Sequence, residues 1–149
     1  LDKPYNFLTQ PFAAKIVIIL ALLWRWTGYN MVFFLSGLQN IEYSVYEAAK
    51  IDGASAIQTF FKITVPLLKP TILLTAIMST NGTLQLFDES INLTDGGPAN
   101  ASISMSHYIY NLCFKYVPNF GYAAAMSFFI LLLVAVLAFI QMRVGDKRD

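Results

Sequence analysis

The sequence is short of the residues on which most protein chemistry depends. A single cysteine, Cys113, excludes an intrachain disulfide framework and a cysteine-rich metal site. A single histidine, His107, has no carboxylate cluster near it in sequence and reads as an interface residue, not as a catalyst or metal ligand. No G-x-x-x-x-G-K-S/T phosphate loop occurs. Charged residues make up 13% of the chain, against about 25% in soluble domains. Net charge is +1, which offers no pull toward nucleic acid. The adjacent acids Asp88 and Glu89 sit at the edge of an apolar run and read as solvated loop charge. With no nucleophile–base set and no metal cluster, an enzyme reading has nothing to rest on.

What the chain has is apolar length. Hydrophobic residues are 56% of it, and the charges cluster between long neutral runs. Three runs, about 13–38, 67–87 and 122–141, read as membrane spans. The first exceeds the ~20 residues a bilayer needs, so it is expected to tilt or to kink at Gly28. Lys50, Lys62 and Lys69 mark the segment after the first span, and Arg143, Lys147 and Arg148 mark the tail. The intervening 88–118 loop carries Asp88, Glu89 and Asp95 with only Lys115. The positive-inside rule then makes residues 42–66 and the C-terminus cytoplasmic, and the 88–118 loop and the N-terminal end external. Within that loop, Ile109, Leu112, Cys113 and Tyr116 would form one face of a short amphipathic helix. The chain begins at Leu1 without a signal peptide, and is expected to be the C-terminal half of a longer protein.

The polar interruption between the first two spans has its own organisation. Ser44 with Glu47, and Ser55 with Gln58, fit the spacing of helix N-terminal capping boxes. Asp52-Gly53 stops the first helix, since glycine accepts a left-handed backbone. Ile57, Phe60, Phe61 and Thr64 would line one face of the second. Pro66 and Pro70 punctuate the entry to the next span.

These residues carry a resemblance. Glu47-Ala48-Ala49, three residues, Gly53, nine residues, Ile63, one residue and Val65-Pro66 resemble the EAA loop of ATP-binding cassette importer permeases. Val65 departs from the usual leucine. Asp52, Ala54, the run Pro66 to Pro70 and Leu93-Thr94-Asp95-Gly96-Gly97-Pro98 resemble the carbohydrate-uptake, maltose-type branch. The resemblance implies an all-α polytopic transmembrane bundle with the type I importer permease fold, a single domain of which three spans are present. It also implies a bacterial inner-membrane location, a second and different permease chain, an ABC ATPase dimer that binds the ATP, and an extracytoplasmic solute-binding protein. The chain itself needs no cofactor. Glu47, Ala48, Ala49, Asp52, Gly53, Ile63 and Pro66 would form the coupling helix seated in the ATPase, although Glu47 also suits simple helix capping.

The solute path is expected on the first two spans. Arg25, between Trp24 and Trp26, either lines a hydrated path or snorkels to an interface. The second span turns polar at Ser79-Thr80-Asn81-Gly82-Thr83-Leu84-Gln85, which is either a transport site or hydrogen-bonding glue between helices. Arg25, Tyr29, Asn81, Thr83 and Gln85 are the candidate path residues, suited to a sugar by their amides, hydroxyls and rings. An importer of glycerol phosphate or a polyol, and a membrane anchor with a dry second span, are the competing readings. At the start of the third span, Gly121 and Ala125 have small-residue spacing for close helix packing.

Overall fold

The structure, a computed structural model, describes residues 7–145. Lys147 and Arg148, expected in the cytoplasmic tail, lie outside the described residues. Among the described residues the chain is helical, without strands. Six elements organise it: α1 (Pro11–Gln39), α2 (Tyr43–Ile51), α3 (Ala56–Leu67), α4 (Lys69–Leu84), α5 (Met105–Tyr110) and α6 (Phe120–Gly145). Three wide turns, at Phe60–Thr64 within α3, at Ser90–Thr94 and at Asn111–Lys115 after α5, use i→i+5 bonding.

Two helices, α1 and α6, are long and apolar enough to cross a membrane by themselves. Their 29 and 26 residues correspond to roughly 43 and 39 Å at 1.5 Å per residue. Pro11 starts α1, where a missing N–H costs nothing. The helix then runs through Gly28 as one continuous element. The second span is different. Only 16 residues form α4, and it qualifies as a span only together with α3, from which it bends by 64°. The bend falls at Leu68, between Pro66 and Pro70, neither of which can donate a backbone bond.

α4 is the central rod, antiparallel to α1 on one side and to α6 on the other. The α1 seam is built on glycine. A Cβ at Gly37 would meet Thr71 Oγ1 at 2.8 Å, and one at Gly82 would overlap the Trp26 ring. Between them Ser79 donates to Asn30 Oδ1 at 3.2 Å. On the other side Gln141 donates to Thr80 Oγ1 at 2.8 Å, and Leu73 presses against Gly145. The expected Gly121–Ala125 packing is not used within this chain, since both residues are exposed.

Because α4 ends level with Trp26, the first halves of α1 and α6 extend beyond it. The 88–118 segment, expected to be a loop containing one short helix, fills that space as a folded cap, and a short helix, α5, lies within it. Its wide turns and α5 pack against α1 and α6. Its buried side chains are Glu89, Ser90, Ser102, His107, Asn111 and Leu112. The wide turn after Asn111 shifts the helical register, so Tyr116 lies on extended backbone and is exposed, off the amphipathic face expected for it.

Candidate functional site

The elbow between α1 and α4 is stopped and started by local chemistry. At the end of α2, Gly53 adopts φ +72°. Its N–H reaches Lys50 O at 3.1 Å, and the Ala54 N–H reaches Ala49 O at 3.0 Å. That pair of bonds satisfies carbonyls the helix end leaves open, and needs the left-handed residue glycine supplies. α3 begins with a reciprocal cap: Gln58 N donates to Ser55 Oγ at 3.3 Å and Ser55 N donates to Gln58 Oε1 at 2.8 Å. The other expected box does not form. Glu42, not Ser44, precedes α2, and the Ser44 hydroxyl turns back to Glu42 Oε2. The helix starts at Tyr43, two residues earlier than Ser44 needs in order to cap it, leaving Glu47 without a capping bond.

Glu47, Ala48, Asp52, Gly53 and Pro66 are exposed. Ala49 is buried and Ile63 half-buried, so both face inward. The hydroxyl pair Tyr46–Thr64, 3.2 Å apart, ties α2 to α3. The expected apolar face of α3 does not pack within this chain. Thr64 is buried, but Ile57 is 72% exposed, with Phe60 and Phe61 beside it in edge-to-face contact. Ile51 on α2 is 85% exposed. The elbow is a polar-capped, stiff corner with an uncovered apolar surface.

The candidate path residues divide. Arg25 has a partner that sequence reasoning missed: its Nη1 lies 2.8 Å from Glu89 Oε1. Glu89 is buried and is not solvated loop charge. A guanidinium in an apolar helix needs a counter-charge, and Glu89 is brought to it by the turn that follows α4. The signal was present in the sequence as an unpaired arginine in one span and an acidic pair just past the next. Tyr29, one turn along α1, is exposed, with its ring 6.0 Å from that of Trp26. Asn81 and Gln85 form one ladder, with Nε2 of Gln85 donating to Asn81 Oδ1 at 2.6 Å. Gln85 borders a concavity of about 320 Å³ with Ser106, Ile109, Ser127, Ile130 and Leu131. Thr83 lies two residues from Asn81, about 200° around the helix, on another face. Ser79, Thr80 and Gly82 are the packing glue of α4; Asn81, Thr83 and Gln85 are exposed.

The cap holds a hydroxyl–imidazole hub. Ser90 Oγ lies 2.9 Å from His107 Nδ1, donates to Ser102 O at 2.8 Å and accepts from Ser104 N at 3.2 Å. Its one proton goes to the Ser102 carbonyl, so His107 Nδ1 must be the donor to Ser90. Nε2 of His107 faces Asp95 Oδ1 at 3.7 Å, and Asp95 is bonded to Lys115 Nζ at 2.7 Å. His107 is fully buried and faces a carboxylate, contrary to the exposed interface residue expected. Serine, histidine and aspartate thus meet, but not as a nucleophile set: Ser90 is fully buried and its hydroxyl saturated. Burial pushes the His107 imidazole below its ordinary value, with Asp95 opposing. The Lys115 bond holds Asp95 below the usual carboxylate range. Among the described residues no His, Cys, Asp and Glu cluster could hold a metal.

Residues 6–148 match the family described as the binding-protein-dependent transport system inner membrane component. The chain is 55% identical over 150 residues to the lactose transport system permease protein LacF of Rhizobium radiobacter, covering 99% of this chain and 50% of that protein. It is 37% identical to the trehalose/maltose transport system permease protein MalF of Thermococcus litoralis, over 98% of this chain and 49% of that one. It is 33% identical to the arabinooligosaccharides transport system permease protein AraP of Bacillus subtilis, over 97% of this chain and 46% of that one. The chain thus spans about half the length of these relatives. A family match over nearly every residue, on an all-helical chain with long apolar rods and a stiff elbow, makes this chain a member of the binding-protein-dependent transport system inner membrane component family.

Proposed function

We propose that this chain forms part of the translocation path of an ABC importer for an oligosaccharide, and that the elbow of α2 and α3 receives the stroke of a separate ATPase dimer. The observation that supports this most directly is the elbow's surface: a hydrogen-bonded corner whose apolar side chains are left uncovered beside an exposed acid. Such a surface suits a partner's groove, and a corner capped at both helix ends is stiff enough to carry force. Glu47, Ala48, Asp52, Gly53 and Pro66 supply the seat, while Ala49 and Ile63 hold the corner together from inside. ATP belongs to the partner; this chain carries no cofactor. The elbow faces the bacterial cytoplasm, as does the C-terminal end of α6, and the cap faces outward toward a solute-binding protein. A second, different permease chain completes the path, as the resemblance to the carbohydrate-uptake branch implies.

Two measurements test this. Glu47→Ala and Gly53→Val should leave the assembled complex able to hydrolyse ATP slowly but abolish its stimulation by solute-loaded binding protein. An unchanged stimulated rate in both variants would remove the coupling role. In a background with Cys113 replaced by serine, cysteines placed at Asn81 and Gln85 should react with water-soluble thiol reagents. Complete inertness at both would favour a dry anchor over a path.

A further inference from the structure

We propose that Glu89 is a specificity-determining residue, and that the Arg25–Glu89 pair filters solutes by charge, admitting neutral polyhydroxylated molecules over anionic ones. This rests on the reading that α1 and α4 line a solute path.

The two partners are unequally covered. The Arg25 side chain is 35% exposed and that of Glu89 10%. Glu89 Oε1 binds one edge of the guanidinium, while Oε2 is buried without a hydrogen-bond partner. A desolvated carboxylate oxygen with no donor is costly. Buried as it is, Oε2 is out of a solute's reach, so the pair meets a solute through the exposed part of Arg25 with the Glu89 charge behind it. Around the pair lie aromatic faces: the guanidinium carbon sits 5.6 Å from the Trp26 ring centroid, and exposed Tyr29 lies next to Trp26. The cluster thus presents a cationic donor and ring surface, backed by a buried negative charge.

A neutral sugar hydroxyl can accept from Arg25 without meeting repulsion from Glu89, while the sugar's C–H face rests on a ring. A phosphate or carboxylate only accepts. It could bind Arg25, but it would stand against the Glu89 carboxylate, and like charges in such a place are strongly disfavoured. An arginine alone would favour anions. Its pairing with Glu89 reverses that preference.

The test uses the complex of both permease chains and the ATPase dimer in nanodiscs, without the binding protein. Saturation-transfer NMR compares lactose with lactobionate, its carboxylate-bearing relative. In the wild type lactose should bind at least ~10-fold more tightly than lactobionate, a gap of about 1.4 kcal/mol. Glu89→Gln should close or invert that gap, and the double variant Arg25→Gln/Glu89→Gln should lose the gained lactobionate binding. Wild-type binding of both sugars alike, or an unchanged ratio in Glu89→Gln, overturns the filter and leaves the sugar path standing. No lactose transfer in any variant overturns the sugar path itself, and the filter with it.

Discussion

The two ends of α4 handle their polar and apolar groups in opposite ways. At the cap, hydroxyls and an imidazole are buried and bonded to one another, with Ser90 at the centre of four partners counting its own turn. At the elbow, polar groups are spent on helix caps and the apolar side chains are left outside. The cap is bonded largely within this chain, because non-helical backbone packed among apolar helices needs internal partners, although Glu89 Oε2, His107 Nε2 and Asn111 Oδ1 are buried without a hydrogen bond. The elbow leaves Ile51, Ile57, Phe60 and Phe61 uncovered within this chain, which is the surface the proposed ATPase partner would cover.

The sharpest way to break this contrast is at the cap. Ser90→Val should destabilise the assembled protein by about 3 kcal/mol, since the Ser104 N–H, the His107 Nδ1–H and the Ser102 carbonyl lose a shared partner. Thermal unfolding in detergent would read this, and an unchanged midpoint would show that the hub carries no weight. Gly53→Val places a branched side chain at φ +72° and should cost roughly 1–2 kcal/mol. Its larger effect should be on solute-stimulated ATP hydrolysis, measured beside the melting point.

Acidification should separate the regions further. The folded state holds His107 below its ordinary value, so the unfolded chain binds more protons as pH falls through about 6.5. Stability is therefore full above that value and declines below it, until the lower folded value is reached. His107→Asn should flatten the decline, while elbow variants should retain it; pH-dependent melting curves from 7.5 to 5 compare them. The smallest stability effect belongs to the elbow surface. Ile57→Ser should change the melting free energy by under ~0.5 kcal/mol, yet lower the fraction of ATPase that co-purifies with the permease. Retained ATPase in a double Ile51→Ser/Ile57→Ser variant would show that this apolar surface is not the seat.

Much of the elbow was legible in the sequence because its structure is local. Gly53 stops α2, and Ser55 with Gln58 starts α3, through bonds between residues a few positions apart. The Ser44 box was misplaced because Ser44 lies two residues past the helix cap, Glu42. Ile57, Phe60 and Phe61 were correctly placed in a helix, but their period could not say that nothing in this chain would cover them. Among the candidate path residues, Arg25 was singled out by its cost in an apolar helix, but its counter-charge lies beyond a whole further helix. The polar half of α4 mixed two roles that composition alone could not separate. Ser79 and Thr80 bond to neighbouring helices, while Asn81 and Gln85 bond each other and stay open.

The order of residues alone decided where apolar rods begin and end, where the chain turns at Gly53, Pro66 and Pro70, and that the result is helical. Those outcomes follow from hydropathy, from a backbone angle only glycine takes easily, and from an imino acid that cannot donate. Which side chains meet was decided by packing. The short reach of α4 opened a space that the cap fills, burying His107 on Ser90 and bringing Glu89 to Arg25. Such pairings depend on helix length and register across the bundle, and no local rule states them.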